Sequence, residues 1–403
     1  MNDLLVTAEL PVVTWASDGD LGEGEALLAT LDACRLESWG ARSIRGFEIF
    51  RYAEASSILR SRDFASPFGK LSENSGLTPE DGWIYHHMGS TLANVQGPAH
   101  VKLKSIFLEF FGPRAIGRWR SHVRDIVRSR VKISAKEGAL DLARDVCLVL
   151  PAYLFCRLIA RPDEDAAFLA HTSDEILTIF DQDPKNRDRI ISAGNRLKTY
   201  TENLIAERTL NRGDDLVSYL IGKREEGALS HDELVNNVAM LLEASVDNTG
   251  NQFALTMHHL LSVPERWQHI KDNPGLIKNA IDESIRITPK VTTINRIANI
   301  DTVVNGVSIP AGSWISVSIL GAQRDTTGLP EAARYDLGRV SERPHLVFGG
   351  GVYMCLGMLL SLLELEEGIA TLAEEFPDLA LIAPLEQTFT ARNITVQSLK
   401  VTI

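Results

Sequence analysis

No stretch of the sequence approaches the run of about 18 apolar residues that a membrane span needs. The opening segment, MNDLLVTAELPVVTWASDGD, lacks both a basic leader and a long apolar core. These absences exclude a membrane anchor and a secretory signal, and predict a cytoplasmic protein. Cysteine is scarce: 4 in 403 residues. Cys34, Cys147, Cys156 and Cys355 show neither paired nor metal-ligand spacing, which leaves no disulfide framework and no site built from several cysteines. The first three sit in apolar or helical surroundings and read as reduced core residues. Positive charge is outnumbered, with 41 Lys and Arg against 53 Asp and Glu and a net of −12, which argues against nucleic acid as a partner. No Pro/Gly/Ser-rich linker and no internal repeat divides the chain. A single domain over 1–403 is therefore expected, although length alone would suggest about two or three.

What is present is mostly helical periodicity. Apolar spacing predicts helices over 52–60, 100–111, 115–136, 140–159, 163–180 and 187–210. Residues 44–50 alternate like a strand, and the polar, glycine-rich 65–81 reads as a loop. Ser230-His231-Asp232-Glu233 has the form of a capping box. The helix it starts is predicted to run to about Leu261, roughly 30 residues, apolar over much of its circumference, and to cross the core. Another helix spans 273–287 and stops before Pro289. Strands follow over 296–300, 302–309 and 314–318, and again over 379–403. The fold class is mainly α with a small β portion.

One segment is more informative than the rest: Phe348-Gly349-Gly350-Gly351-Val352-Tyr353-Met354-Cys355-Leu356-Gly357. The glycines let the backbone approach a flat ligand and turn amide groups toward one sulfur. The apolar run from Met358 to Ala370 starts a helix, whose N-terminus favours nearby negative charge. Both features stabilise a thiolate, the metal-binding form of cysteine. A thiolate beside a flat ligand points to haem iron held by sulfur.

With this loop, the long helix and Glu283-Ser284-Ile285-Arg286 in view, the chain resembles the cytochrome P450 family in its soluble bacterial form, over nearly its whole length. The family pattern Phe-Gly-x-Gly-x-His-x-Cys-x-Gly is matched at Phe348, Gly349, Gly351, Cys355 and Gly357; Tyr353 replaces the usual His or Arg. The resemblance implies haem b lying between the long central helix and the cysteine-bearing loop and helix. The Glu-x-x-Arg spacing recurs at Glu48/Arg51 and Glu331/Arg334, and position in the family order selects Glu283/Arg286, with Arg339 as the implied third, structural partner. For the haem propionates it implies His100, Lys104, Arg296, and His345 or Tyr353. Lys104 offers a point charge in place of a bidentate fork and Tyr353 a single hydroxyl, so Arg296 is expected to be the main anchor.

In the long helix, Glu243-Ala244-Ser245-Val246-Asp247-Asn248-Thr249-Gly250 resembles the family's Ala-Gly-x-Asp/Glu-Thr. Ala244 and Asp247 match, Ser245 replaces Gly and Asn248 replaces Thr. In the family this stretch loosens the helix beside the haem iron, and an acid–alcohol pair delivers protons to O2 through water. Asn248 cannot relay a proton but can donate a hydrogen bond. Thr249 lies about 100° round the helix from position 248, so whether Asn248 or Thr249 serves, with Asp247 as the acid, stays open. No arginine lies in 233–261, which favours O2 with an electron supply over a peroxide-driven reaction.

The resemblance implies a monooxygenase drawing electrons, ultimately from NAD(P)H, through a separate ferredoxin- or flavodoxin-type donor and its reductase. Lys102, Lys104 and Arg114 would form part of a basic docking face. Substrate contacts are implied at Leu92, Val95, Phe180, Leu241, Ala244, Ser245, Val291, Ile294 and Ile394, an apolar set suited to a lipophilic molecule such as a terpenoid, fatty or aromatic skeleton. Hydroxylation is the default outcome. Desaturation, rearrangement, oxidative coupling and a non-catalytic haem-thiolate ligand sensor are the alternatives.

Overall fold

The computed structural model describes residues 9–340 and 343–403. The first eight residues, part of the opening segment read above as neither signal nor anchor, lie outside them. Helices make up most of the described chain, with four small sheets, as the periodicity predicts. Among the described residues no helix is long and apolar enough to cross a membrane.

Several predicted bounds hold closely, including Tyr52–Arg60, Arg187–Leu210 and Trp314–Ser318. The capping box is present: Ser230 Oγ accepts from the Glu233 amide at 3.0 Å, and the Glu233 carboxylate accepts from the Ser230 amide at 2.8 Å. Three expectations fail. The loop predicted over 65–81 contains a helix, Phe68–Asn74, whose Leu71 and Ser72 are buried. The helix predicted over 140–159 is instead a short strand, Ala139–Asp141, a wide turn, Ala143–Cys147, and a helix, Leu150–Leu158.

The third concerns the long helix. It is two helices, His231–Ala244 and Asn248–Leu261, separated at Ser245, Val246 and Asp247. The break has a side-chain cause. Ser245 Oγ donates back to the Leu241 carbonyl, and Asn251 Nδ2 donates to the Asp247 carbonyl at 3.0 Å. Such local bonds compete with the backbone ladder and bend helices. The second half packs closely: a Cβ on Gly250 would lie 2.7 Å from the Cys147 carbonyl oxygen. Only glycine lets the wide turn approach here.

A five-stranded sheet flanks this helical core in the order Gly40–Ser43, Gly46–Ile49, Trp314–Ser318, Thr293–Ala298 and Phe64–Ala65. Trp314–Ser318 pairs parallel with Gly46–Ile49 and antiparallel with Thr293–Ala298, placing Arg296 opposite Ile315. That register fixes the arginine at the edge of the central cavity.

Candidate active site

A cavity of about 450 Å³ lies between the broken central helix and the loop 346–357. Cys355 is on its floor. The Cys355 amide donates to the Phe348 carbonyl at 2.8 Å, closing the loop into a ring of backbone. The side chain is exposed, yet what it is exposed to is the cavity. Burial pushes its thiol up, while the amides of Gly357 and Met358 and the Lys104 cation pull it down. The sequence reading named the amides correctly; burial outweighs them until a metal cation is added.

Arg296 lines the cavity at 5 % exposure, and its Nε has no hydrogen-bond partner. Its Nη1 donates to the Asn295 carbonyl at 2.9 Å, and its guanidinium lies 5.5 Å from the Tyr353 ring centre. Burial pulls it down to about 10. His100 meets Tyr353 edge-to-face at 5.3 Å, and burial, then Lys104, lower its pKa. Phe348, Gly349, Tyr353 and Gly357 complete this end.

Two predicted haem contacts are placed differently. His345 does not line the cavity: its Nε2 lies 3.1 Å from Asp282 Oδ1, a nearer charged partner on the helix Ile277–Ile287. Lys104 lines it, but its ammonium donates to the Val352 and Met354 carbonyls at 2.6 and 3.1 Å, tying down the cysteine loop. The proposed basic docking face is likewise reduced. Lys102 pairs with Glu233 at 2.5 Å and Lys104 is turned inward, leaving Arg114 exposed.

Glu283 does meet both arginines. Arg286 Nε and Nη2 reach its carboxylate at 2.7 and 2.8 Å, and Arg339 Nε at 3.0 Å. The same carboxylate accepts from the Asp336 amide at 2.9 Å, and Arg286 donates to the Gln323 and Arg334 carbonyls at 3.1 Å. Gln323 in turn accepts from the Leu346 amide at 2.9 Å, at the start of the cysteine loop. The other two Glu-x-x-Arg matches do not behave this way. Glu331 and Arg334 pair at 3.0 Å on the surface, and Glu48 pairs with Arg45.

At the break, Asn248 faces the cavity and is exposed to it. Thr249 also lines it, and its Oγ1 donates to Ser361 Oγ at 3.0 Å. Asp247 does not line it. Its carboxylate is held by Lys290 Nζ at 3.1 Å and Asn251 Nδ2 at 2.7 Å, because the unwound turn aims it outward. Of the predicted substrate contacts, Leu92, Phe180, Leu241, Ala244, Ser245, Val291 and Ile294 line the cavity. Val95 and Ile394 do not. Val95 packs against the core, and Ile394 is fully buried where the hairpin Glu386–Phe389/Ile394–Ser398 pairs.

Sequence reasoning missed Lys290, Ser361 and Glu364, and singled out no role for Glu243; all four also line the cavity. Burial pushes the Glu364 carboxyl well above the carboxylate range, and its Oε2 has no hydrogen-bond partner. The signal for Glu243 was available, a lone acid inside the apolar helical run Leu241-Leu242-Glu243-Ala244; Glu364 is followed closely by Glu366 and Glu367 and does not stand out in the sequence.

The residues fit a haem. Among the described residues no three His, Cys, Asp or Glu side chains converge to hold a metal by themselves, so iron at Cys355 needs its other ligands from a prosthetic group. A buried guanidinium with an unpartnered donor suits a propionate, and the loop glycines keep the floor low.

A model of the cytochrome P450 family matches residues 164–379, and the chain belongs to that family. It is 32 % identical over 342 residues to luteothin monooxygenase of Streptomyces thioluteus, covering 84 % of each chain. It is 30 % identical over 344 residues to nocardicin C N-oxygenase of Nocardia uniformis subsp. tsuyamanensis, again covering 84 % of each. The fold is shared with epothilone D-bound cytochrome P450epoK, with a TM-score of 0.87 at 22 % identity over 97 % of this chain and 99 % of that one. It is also shared with P450BioI in complex with an acyl carrier protein, with a TM-score of 0.86 at 22 % identity over 93 % and 98 %. The chain is thus a P450 oxidoreductase.

Proposed function

We propose that the chain acts as one domain, a haem-thiolate monooxygenase that inserts one oxygen atom from O2 into an unactivated C–H bond of a lipophilic small molecule. Electrons reach it from NAD(P)H through a separate ferredoxin- or flavodoxin-type protein. The observation that carries this reading is the pairing, across one apolar cavity, of a cavity-facing Cys355 sulfur with the buried Arg296 guanidinium, whose Nε has no hydrogen-bond partner. When bound, haem with a sulfur ligand supplies O2 binding and O–O cleavage. Arg296, with His100 and Tyr353 beside it, would hold the propionates, and Cys355 the iron.

The experiment is spectroscopic. The reduced protein with carbon monoxide should give a strongly red-shifted Soret band, and Cys355→His should abolish it. Folded protein that takes up no haem, or a band indifferent to the substitution, would remove the proposal.

The residues at the helix break divide the proton work. Asn248 can donate a hydrogen bond into the cavity and hold water there. Asp247 is partly exposed behind the break, clasped by Lys290, where it can exchange protons with solvent. Asn248→Ala should lower product formed per NAD(P)H consumed by about tenfold or more, and Asp247→Asn should slow turnover by a comparable factor. Unchanged coupling and rate in both would show that neither residue handles protons. The amide in place of an alcohol at 248 also favours a second reading, in which the same site carries out desaturation, rearrangement or oxidative coupling.

A further inference from the structure

The cavity wall carries a carboxylate that an apolar pocket does not need. Glu243 lies in the last turn of His231–Ala244, where the helix dipole disfavours negative charge. Its side chain is 9 % exposed, and among the described residues its ion-pair partners include no lysine or arginine. Both carboxylate oxygens stand 3.4 Å from His87 Nε2, longer than the usual 2.7–3.2 Å range of about 2.9 Å bonds. His87 is fixed elsewhere: it is fully buried, stacked on Trp83 at 4.3 Å, with Nδ1 3.4 Å from Asn236 Oδ1. The cavity's own cations are committed, Lys290 to Asp247 and Lys104 to the loop carbonyls, and Arg296 lies on the strand Thr293–Ala298 at the cysteine end. The same cavity is lined by the apolar side chains of Met88, Leu92, Met240 and Leu241.

A buried carboxylate with one distant imidazole is costly unless a cation completes it. We propose that Glu243 selects the substrate by charge, and that the cavity takes lipophilic molecules bearing a cationic nitrogen placed against this carboxylate. This rests on the monooxygenase reading and narrows its substrate class.

The test compares decyltrimethylammonium, which cannot ligate iron, with decanoate, both below micelle formation. Binding is followed by calorimetry and by the Soret shift. The wild-type protein should bind the cation about tenfold or more tightly than the anion. Glu243→Gln should bring the two close to equal. So should His87→Lys, which installs an ammonium beside an intact Glu243 and keeps the question answerable if Glu243→Gln folds poorly. Equal binding by the wild type, or a preference that survives both substitutions, would overturn the assignment. A carbon monoxide band recorded on the same samples separates the two readings: with the band present, a missing preference refutes charge selection alone, and without the band the monooxygenase reading fails whatever calorimetry reports.

Discussion

Glu283→Ala is expected to lose about 3–5 kcal/mol of stability, because it strands two buried cations where a carboxylate held both. Arg286 and Arg339 have side chains only 7 % and 10 % exposed, so water cannot replace what is removed. The loss should extend beyond the helix Ile277–Ile287. The carboxylate also fixes the Asp336 amide, and through Arg286 and Gln323 the start of the cysteine loop. Denaturant unfolding should therefore show a lowered midpoint, with haem content falling alongside it. Glu331→Ala is the internal control. Its pair with Arg334 has the same spacing, but the side chains are 65 % and 63 % exposed, and an exposed pair contributes at most about 1 kcal/mol. Equal effects at both sites would contradict the assignment of Glu283 as the buried centre of the network.

Arg296→Leu should act with opposite sign on the empty and loaded protein. A guanidinium without a carboxylate partner among the described residues is held at the cavity edge with its Nε unpartnered, and burial already lowers its hold on the proton. Replacing it with a shorter apolar side chain removes a buried charge that no carboxylate compensates, so the haem-free protein should be as stable as the parent or more so. The loaded protein should release haem about ten- to a hundredfold faster, the equivalent of one charge-assisted hydrogen bond of about 1.5–3 kcal/mol. Haem transfer to an acceptor protein measures the second effect, and thermal unfolding of the stripped protein the first. Destabilisation of both forms would mean that Arg296 is a structural residue, not a propionate anchor.

How far the sequence could be read depended on whether a position is governed by local pattern or by competition among distant partners. Ser230 caps its helix through residues three positions away, and the glycine–cysteine loop is defined by its own backbone, so both were legible. The break at 245–247 was legible only through the family resemblance, because a uniformly apolar face reads as a continuous helix while the polar side chains that divert its backbone are local and few. The helix Phe68–Asn74 was hidden by glycine and serine, whose weak helical preference is overridden once Leu71 is buried. His345 and Lys104 fail for a different reason. Family position brings each backbone to the right place, but Asp282 and the loop carbonyls capture the side chains. Lys290 and Ser361 were invisible because their importance lies wholly in contacts with Asp247 and Thr249, far away in sequence.

The Lys104 tether has a consequence for how the prosthetic group is acquired. By gripping Val352 and Met354, it sets the curvature of the socket from within the polypeptide, so the ordering entropy is met when the chain folds and not when the porphyrin arrives. A socket shaped in this way is expected to retain its outline between losing one haem and receiving the next.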